Sequence, residues 1–533
     1  MFEATRQNFE EVLNELQYEI KNCSFVSLDC EFTSLPADKH FENSFFDSGE
    51  DRFNSIRNNL DHALILQVGI TPFKYNRDLK HYRANPFKFY VFPRVFGSFD
   101  VSFLCKSATI QFLCNHKFDF NKGFYQGISY LNRNDKEKLL KLLYDGTLLS
   151  SLEENLNHDE INEILRICEL ISNWTESNSD GSTIDFPIDP FNHSFNYLLQ
   201  ERIRMFNNQV WTYNEQDKVV VKKVTKYERL EFEEKGKLAD VKEKFIDSLL
   251  GFSKVYSLLA SSKKPLVGHN LYFDLLIMYH QFYEHIPANY FKYKENLNKL
   301  FPSIYDTKFL SYQLHRITKQ KLLLKNSLGG LYELFQDADT KFYYPFVQLD
   351  PKSIYCDSVE QKKHDAGWDS FMTGFVFLKL ADQFAQLKRN SRLTDEMTFI
   401  ELLTSVKEHE NKINIARAKV SHLNLEGKDP PSTRPPLLHV KRTGKQLLTK
   451  LELDAFFKKY EPVHKKLLNN NSALIAVPNY SSFKTILSDF DNSDLLKVEK
   501  YSLTRHSNSV RACYVAVIIV PLVLAAWAGY KFK

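Results

Sequence analysis

The spacing of hydrophobic and polar positions changes several times along the chain, and each change marks an element. Phe9, Val12, Leu13 and Leu16 recur at helical spacing, which predicts an amphipathic helix of about three turns near the N-terminus. CSFVSLDCEFTSL alternates and is rich in β-formers, so it predicts a central strand; ALILQVGITPF (63–73) and FKFYVFPRVF (87–96) predict two more. SATIQFLCNHKFDFNKGF then turns helical, which makes this part a mixed sheet with helices packed on it. From about 130 to 245 the pattern weakens into charged helices (NDKEKLLKLLYD, DEINEILRICELISNW), a polar loop and a hairpin-like VWTYNEQDKVVVKKV. Strand–helix alternation resumes with KPLVGHN, LYFDLLIMYHQFY and SIYDTKFL, and HDAGWDSFMTGFVFLKLADQFAQ predicts a long apolar helix.

The chain therefore divides into an α/β core made of residues 1–130 and 246–425, with 131–245 inserted into it. GKDPPSTRPP marks a stiff Pro-rich linker, 426–436. Residues 437–503 follow in the order strand, helix, strand, strand, helix, strand, the βαββαβ order of a small RNA-recognition-type domain. Its presumed central strands, LLHVKR and SALIAVP, lack the paired aromatics that stack bases, which favours a packing or protein-contact role.

ACYVAVIIVPLVLAAWAGY (512–530) is an uncharged apolar run. At 1.5 Å per residue it reaches about 28 Å, enough for a thin hydrocarbon core. Arg511 and Lys531 bracket it, and Tyr514, Trp527 and Tyr530 sit where interfacial aromatics belong. Pro521 is tolerated in such a helix. The competing reading is a buried core helix. The expectation is a tail anchor with the folded body in the cytosol, on the outer mitochondrial membrane or, as the alternative, the endoplasmic reticulum.

Composition narrows this picture only slightly. With 43% hydrophobic residues, 26% charged residues and few Gly or Pro, the chain is neither fibrous nor largely disordered. A net charge of +4 permits contact with RNA or an anionic membrane without establishing either. The seven cysteines show no CxxC pair, so they read as reduced cytosolic thiols. The N-terminus, MFEATRQNFEEVLNEL, has no apolar signal core.

Candidate chemistry lies in the carboxylates. Asp29 and Glu31 are two apart on a predicted strand, so both leave the same face, amid Val26, Leu28, Cys30 and Phe32. Carboxylates in apolar surroundings are costly unless exposed, paired or metal-bound, and a solvated acidic edge is the plain alternative. Asp274 sits where the strand PLVGHN gives way to an apolar helix; alone, it equally suits a helix-start Asp complementing the dipole. In HDAGWD, Asp369 falls on a first helical turn and His364 just before it, where a near-neutral base can take a proton from water. Converging carboxylates are what two-metal phosphodiester hydrolysis requires, and such a set suits Mg²⁺ or Mn²⁺. Asp306 in YDTK equally suits a structural cap, and His269 reads as a turn residue. The basic runs KVVVKKVTK (218–226) and KQKLLLK (319–325) suit a phosphate backbone, although a solvated face is the commoner explanation.

The order Asp-x-Glu, Asp, His-x4-Asp resembles the DEDDh exonuclease superfamily. LDCEFTSL, LILQVGITPFKYN, FKFYVFPR, FDFNKGFYQGISYLN, VGHNLYFDLLIMYHQFY, LFPSIYDTKFL and HDAGWDSFMTGFVFL, in that order over about residues 20–390, resemble the poly(A)-specific ribonuclease (PARN) family. The resemblance implies a ribonuclease H-like core and a 3′→5′ exoribonuclease releasing 5′-mononucleotides. It implies that Asp29, Glu31, Asp274 and Asp369 hold two Mg²⁺ or Mn²⁺ ions, with His364 as the base. The family's inserted RNA-binding domain carries an Arg-x3-His element, and residues 150–245 hold no convincing one. That departure and the apolar tail resemble the PARN-like-domain branch, the Trimmer exonucleases. The branch implies PIWI-bound piRNA precursors as substrate, with a PIWI protein and a mitochondrial Tudor-KH scaffold protein as partners. A general poly(A) deadenylase and a catalytically silent RNA-binding scaffold are the alternatives; presence of all four carboxylates and the His argues against the last.

Overall fold

The computed structural model describes residues 3–34, 43–95, 99–234, 237–320, 323, 326–337, 344–351, 353, 364–389, 397–444, 446–506, 517, 520 and 521. The chain divides into two compact units, one of residues 1–41, 54–414 and 424–428, the other of 42–53, 415–423 and 429–533.

The first unit is α/β and is organised by an eight-stranded mixed sheet. Its strands are β1 (Glu3–Ala4), β2 (Phe25–Phe32), β3 (Ile65–Asn76), β4 (His81–Ala84), β5 (Phe87–Tyr90), β9 (Leu266–Gly268), β10 (Ile304–Asp306) and β11 (Val347–Leu349). Between β5 and β9 fall β6 (Thr183–Pro187), β7 (Val210–Glu215) and β8 (Lys218–Lys223), which form a separate sheet. The main sheet runs β1-β5-β3-β2-β9-β10, with β4 also on β3 and β11 on β4. β2 pairs antiparallel with β3 and parallel with β9, so it is a central strand. The strand expected over 87–96 ends at Tyr90; Pro93, which has no N–H to give a ladder, follows closely. β4 alternates, with Tyr82 and Ala84 buried, but it is only four residues long.

The N-terminal helix, Phe9–Asn22, buries Phe9, Val12, Leu16 and Ile20. The helix Ala366–Arg389 is buried on nearly every side from Ala366 to Ala385. It lies between β2 and β3 on one side and the helices Leu328–Gln336 and Phe399–Val406 on others, which is why its sequence is apolar all round. Phe25 and Phe73 stack at 4.7 Å under it, with Phe377 edge-on to Phe25 at 5.2 Å.

Residues 131–250 build a core of their own, including Leu139, Ile167, Leu198, Val219, Val221 and Phe245. In the basic run on β8 the valines are buried, and Lys223 donates to the carbonyls of Thr175 and Asn178 at 2.7 Å each. That lysine holds the fold together and is not available to follow a phosphate backbone. KQKLLLK falls partly outside the described residues.

Two short strands, β12 (Lys412–Asn414) and β13 (His422–Asn424), precede the second unit's sheet. That sheet holds β14 (Leu438–Arg442), β15 (His464–Asn469), β16 (Ser472–Ala476) and β17 (Leu496–Lys500) in the order β15-β16-β14-β17. The helices Lys450–Phe457 and Tyr480–Asp489 contribute Phe457 and Ile486 to a core with Leu438, Val440, Ile475 and Val498. Apart from Val517, Val520 and Pro521, the apolar run 512–530 lies outside the described residues. No helix among the described residues is long and apolar enough to cross a membrane.

Candidate active site

Strand alternation on β2 places Phe25, Ser27, Asp29 and Glu31 on one face. The helix Ala366–Arg389 covers the first two. Ser27 Oγ donates to the Ser370 carbonyl at 2.6 Å, the Thr71 and Ser370 hydroxyls meet at 2.7 Å, and Ser370 Oγ donates to the Gly367 carbonyl at 2.8 Å. These buried bonds fix where the helix starts relative to the strand. Gly69, opposite Asp29 in the β2–β3 register, permits the approach: a Cβ there would lie 1.7 Å from the Ala366 carbonyl oxygen.

The helix start is itself well capped. Asp365 Oδ1 accepts from the Gly367 and Trp368 amides at 3.1 and 3.3 Å, and Gln67 Oε1 accepts from the Ala366 amide at 2.9 Å. Asp369 follows on the first turn. Its Oδ1 accepts from the His364 amide at 3.3 Å, and its Oδ2 lies 3.9 Å from His364 Nδ1. His364 has a φ of 64°, in the left-handed region, and its ring packs against Phe112 and His116. One ligand atom each from Glu31, His364 and Asp369 lie within 4.8 Å of one another.

Asp274 arrives from the neighbouring strand. β9 pairs with β2 only at Val26 and Ser27, then leaves for the helix Tyr272–Phe282. The vacated edge of β2 exposes the Cys30 amide, and both this amide and the Cys30 thiol donate to the Asp274 carboxylate. The charge of Asp274 acts in turn on Asp29.

The cluster is electrostatically uphill. Burial pushes Asp29 well above the usual carboxylate range, with the charges of Asp274 and Asp365 adding to it. Glu31 is raised likewise, by burial first and then by Asp29, Asp369, Asp365 and Asp274. Burial also raises Asp274, to about 7, against the hydrogen bonds it accepts. Lys88 sits at one side, 2.8 Å from Asp365 and 3.0 Å from Glu3. Burial is the largest influence on Lys88 and opposes its charge, yet its anionic neighbours, Asp365 first, keep it firmly protonated.

All five sequence candidates converge here: Asp29, Glu31, Asp274, His364 and Asp369. Asp306 lies near enough for its charge to raise Asp274 further, but its hydrogen bonds are structural. Its carboxylate accepts from the amides of Asn270, Leu271, Lys308 and Asn414 at 2.9–3.1 Å, tying three segments together. His269 is structural too, its Nδ1 lying 2.9 Å from Thr307 Oγ1. Burial holds the His269 pKa down at about 3. The unfolded chain takes up this proton below about pH 6.5 and the folded one does not until about pH 3, so stability falls as pH drops through that window. His269→Asn is expected to flatten the pH dependence of urea unfolding by up to about 2 kcal/mol between about pH 7 and about pH 5. An unchanged slope would show that His269 is not buried neutral.

Sequence reasoning missed Asp365, Gln67 and Lys88. Only Asp365 left a local signal, an Asp immediately ahead of a helical run.

The family profile described as CAF1 family ribonuclease matches residues 4–377. The chain belongs to the CAF1 family of ribonucleases. Two family relatives run nearly end to end with it. The pre-piRNA 3′-exonuclease trimmer of Bombyx mori is 29% identical over 530 residues, 99% of this chain and 98% of that one. The poly(A)-specific ribonuclease PNLDC1 of Mus musculus is 27% identical over 536 residues, 98% and 97% of the two. Among solved structures, S. pombe Pop2p in its Mg²⁺- and Mn²⁺-bound form matches at 13% identity and a TM-score of 0.33, covering 71% of this chain and 91% of that one.

Proposed function

We propose that this ribonuclease is a divalent-metal-dependent 3′→5′ exoribonuclease, releasing 5′-mononucleotides, that trims PIWI-bound piRNA precursors at a membrane surface. The observation that carries the chemistry is the convergence of half-buried Asp29, Glu31 and Asp274 with buried Asp369, their charges mutually repelling. An all-oxygen donor set that resists ionising alone fits hard divalent cations, and these four residues would hold Mg²⁺ or Mn²⁺. Bound there, two such ions supply charge stabilisation for the attacking and leaving oxygens of the phosphodiester. His364, with a side chain 42% exposed, stands where solvent and an RNA end can reach it and serves as the base for the attacking water. Lys88 holds Asp365, and through it the helix start that carries Asp369.

The substrate class rests on similarity to the Bombyx mori relative along almost its whole length. The name of the mouse relative supports a second reading, a poly(A) deadenylase with the same chemistry. The deciding experiment compares trimming of a PIWI-bound RNA with that of a free oligo(A) strand of equal length. Faster trimming of the PIWI-bound RNA supports the first reading, and strong preference for the free strand replaces it with the second.

Residues 512–530 anchor the chain, in this reading to the outer mitochondrial membrane, where a Tudor-KH scaffold and a PIWI protein are its partners. Deleting 512–533 is expected to release the protein into the soluble fraction after carbonate extraction while leaving the rate on free RNA within about twofold, since the deleted run brings no carboxylate to the site. A truncated chain that still sediments with membranes would remove the anchor.

A further inference from the structure

The second unit carries a side-chain cluster that ribonuclease chemistry does not use. On β14, Leu438 and Val440 enter the core, and on β17 Val498 does. Alternation therefore puts His439 and Glu499, partners in the β14–β17 register, together on the opposite face. The chain then turns at Ser502 into the short helix Leu503–His506, which returns His506 to the same place. His506 Nε2 lies 2.7 Å from Glu499 Oε1, and the two imidazole centroids are 4.3 Å apart. A ring nitrogen from each histidine and a carboxylate oxygen of Glu499 all fall within 4.8 Å of one another.

We propose that His439, Glu499 and His506 form a transition-metal site, with Zn²⁺ as its ion. Two observations point to a ligand beyond the proximity of the groups. First, His439 is 8% exposed and its buried Nδ1 has no hydrogen-bond partner among the described residues, a cost the fold carries without return unless something engages the ring. Second, the surroundings of His506 serve both tautomers. Its Nδ1 lies 2.9 Å from the Ser502 amide and 3.0 Å from the Ser502 carbonyl oxygen. With Nδ1 bare, it accepts from the amide and Nε2–H donates to Glu499. With Nδ1 protonated, it donates to the carbonyl and the Nε2 lone pair faces the cluster. The second state is the one a metal-ligating histidine needs, its other nitrogen donating to a backbone carbonyl.

The donor set selects the ion. Two imidazoles and one carboxylate suit Zn²⁺, whereas Mg²⁺ prefers oxygen alone. Lys497 Nζ lies 3.3 Å from Glu499 Oε2, which leaves Oε1, the oxygen beside His506, for the metal. Ligand atoms of a tetrahedral site stand about 3.4 Å apart, so closing the cluster takes side-chain rotation on the order of 1 Å. Once closed, the site clips residues 503–506 to the sheet, just ahead of the apolar run at 512–530.

The test is a Co²⁺ titration of the full chain in detergent, with Mg²⁺ in large excess to occupy carboxylate-only sites. The expected result is one equivalent giving the strong visible absorption of four-coordinate Co²⁺, displaced by Zn²⁺. His439→Ala and Glu499→Gln should each weaken it by about a hundredfold or more, with Mg²⁺-dependent ribonuclease rates unchanged. Glu499→Gln keeps size and shape, so it stays decisive should a histidine variant misfold. The absorption should persist when Asp29→Asn and Glu31→Gln are combined. No such absorption, its survival in Glu499→Gln, or its loss in the Asp29/Glu31 variant would each overturn the site and leave a plain His506–Glu499 ion pair.

Discussion

Glu31→Gln is expected to lower Mg²⁺-dependent ribonuclease turnover by about a thousandfold or more, while raising the melting temperature of the metal-free protein. The two effects have one cause. Glu31 stands half-buried among Asp29, Asp369, Asp365 and Asp274, and the charge of each of these neighbours opposes its ionisation. A neutral amide of the same shape removes that repulsion, so the chelated variant unfolds at a higher temperature. The same change removes a ligand and the charge it brings to the cation, at a cost of several kcal/mol in the transition state. Metal linkage supplies the third reading. Cation at about a hundred times its Kd stabilises the native protein by about 2.7 kcal/mol, and Glu31→Gln should lose most of that rise. Thermal melts with chelator and with Mg²⁺, beside a single-turnover RNA assay, read all three. Undiminished turnover would remove the carboxylate–metal account. A lower melting temperature in chelator would recast Glu31 as a structural partner.

What was legible in the sequence follows from the range of the interactions. Asp29 and Glu31 were visible because a two-residue period on an apolar strand is a local pattern, and His364 and Asp369 because a helix start is one too. Asp274 stood at a strand-to-helix junction, where β9 parts from β2. That Asp274 reaches Asp29 depends on the vacated edge at Cys30, a fact of pairing register that single-strand patterns do not carry. Lys88 was invisible for the same reason. It sits in the aromatic run FKFY, and its partners Glu3 and Asp365 come from the two ends of the unit. The three-stranded sheet of the insertion was only half legible, since β7 and β8 form a hairpin while β6 joins β8 from a loop-like sequence.

Gly69 is the position where fold and chemistry are least separable, and Gly69→Ala is expected to cost both. The added Cβ would meet the Ala366 carbonyl at 1.7 Å and the Gly367 amide nitrogen at 2.6 Å, backbone atoms that no rotamer change can move. The helix start must therefore lift from β3, against the Ser27–Ser370 and Thr71–Ser370 bonds that hold it down. Overpacking of this kind costs about 1–3 kcal/mol. The helix start is also what carries Asp369, and a displacement near 1 Å at a reacting centre costs about a hundredfold in rate. Gly123→Ala is the matched control. Its Cβ meets nothing closer than 3.8 Å, and it lies inside the helix Phe120–Gln126. There alanine should stabilise by up to about 1 kcal/mol and leave turnover unchanged. Urea unfolding and RNA turnover of the two variants, measured side by side, separate a general intolerance of alanine from the specific contact. Full activity in Gly69→Ala would show that the sheet-to-helix approach opposite Asp29 does not set the geometry of the carboxylates.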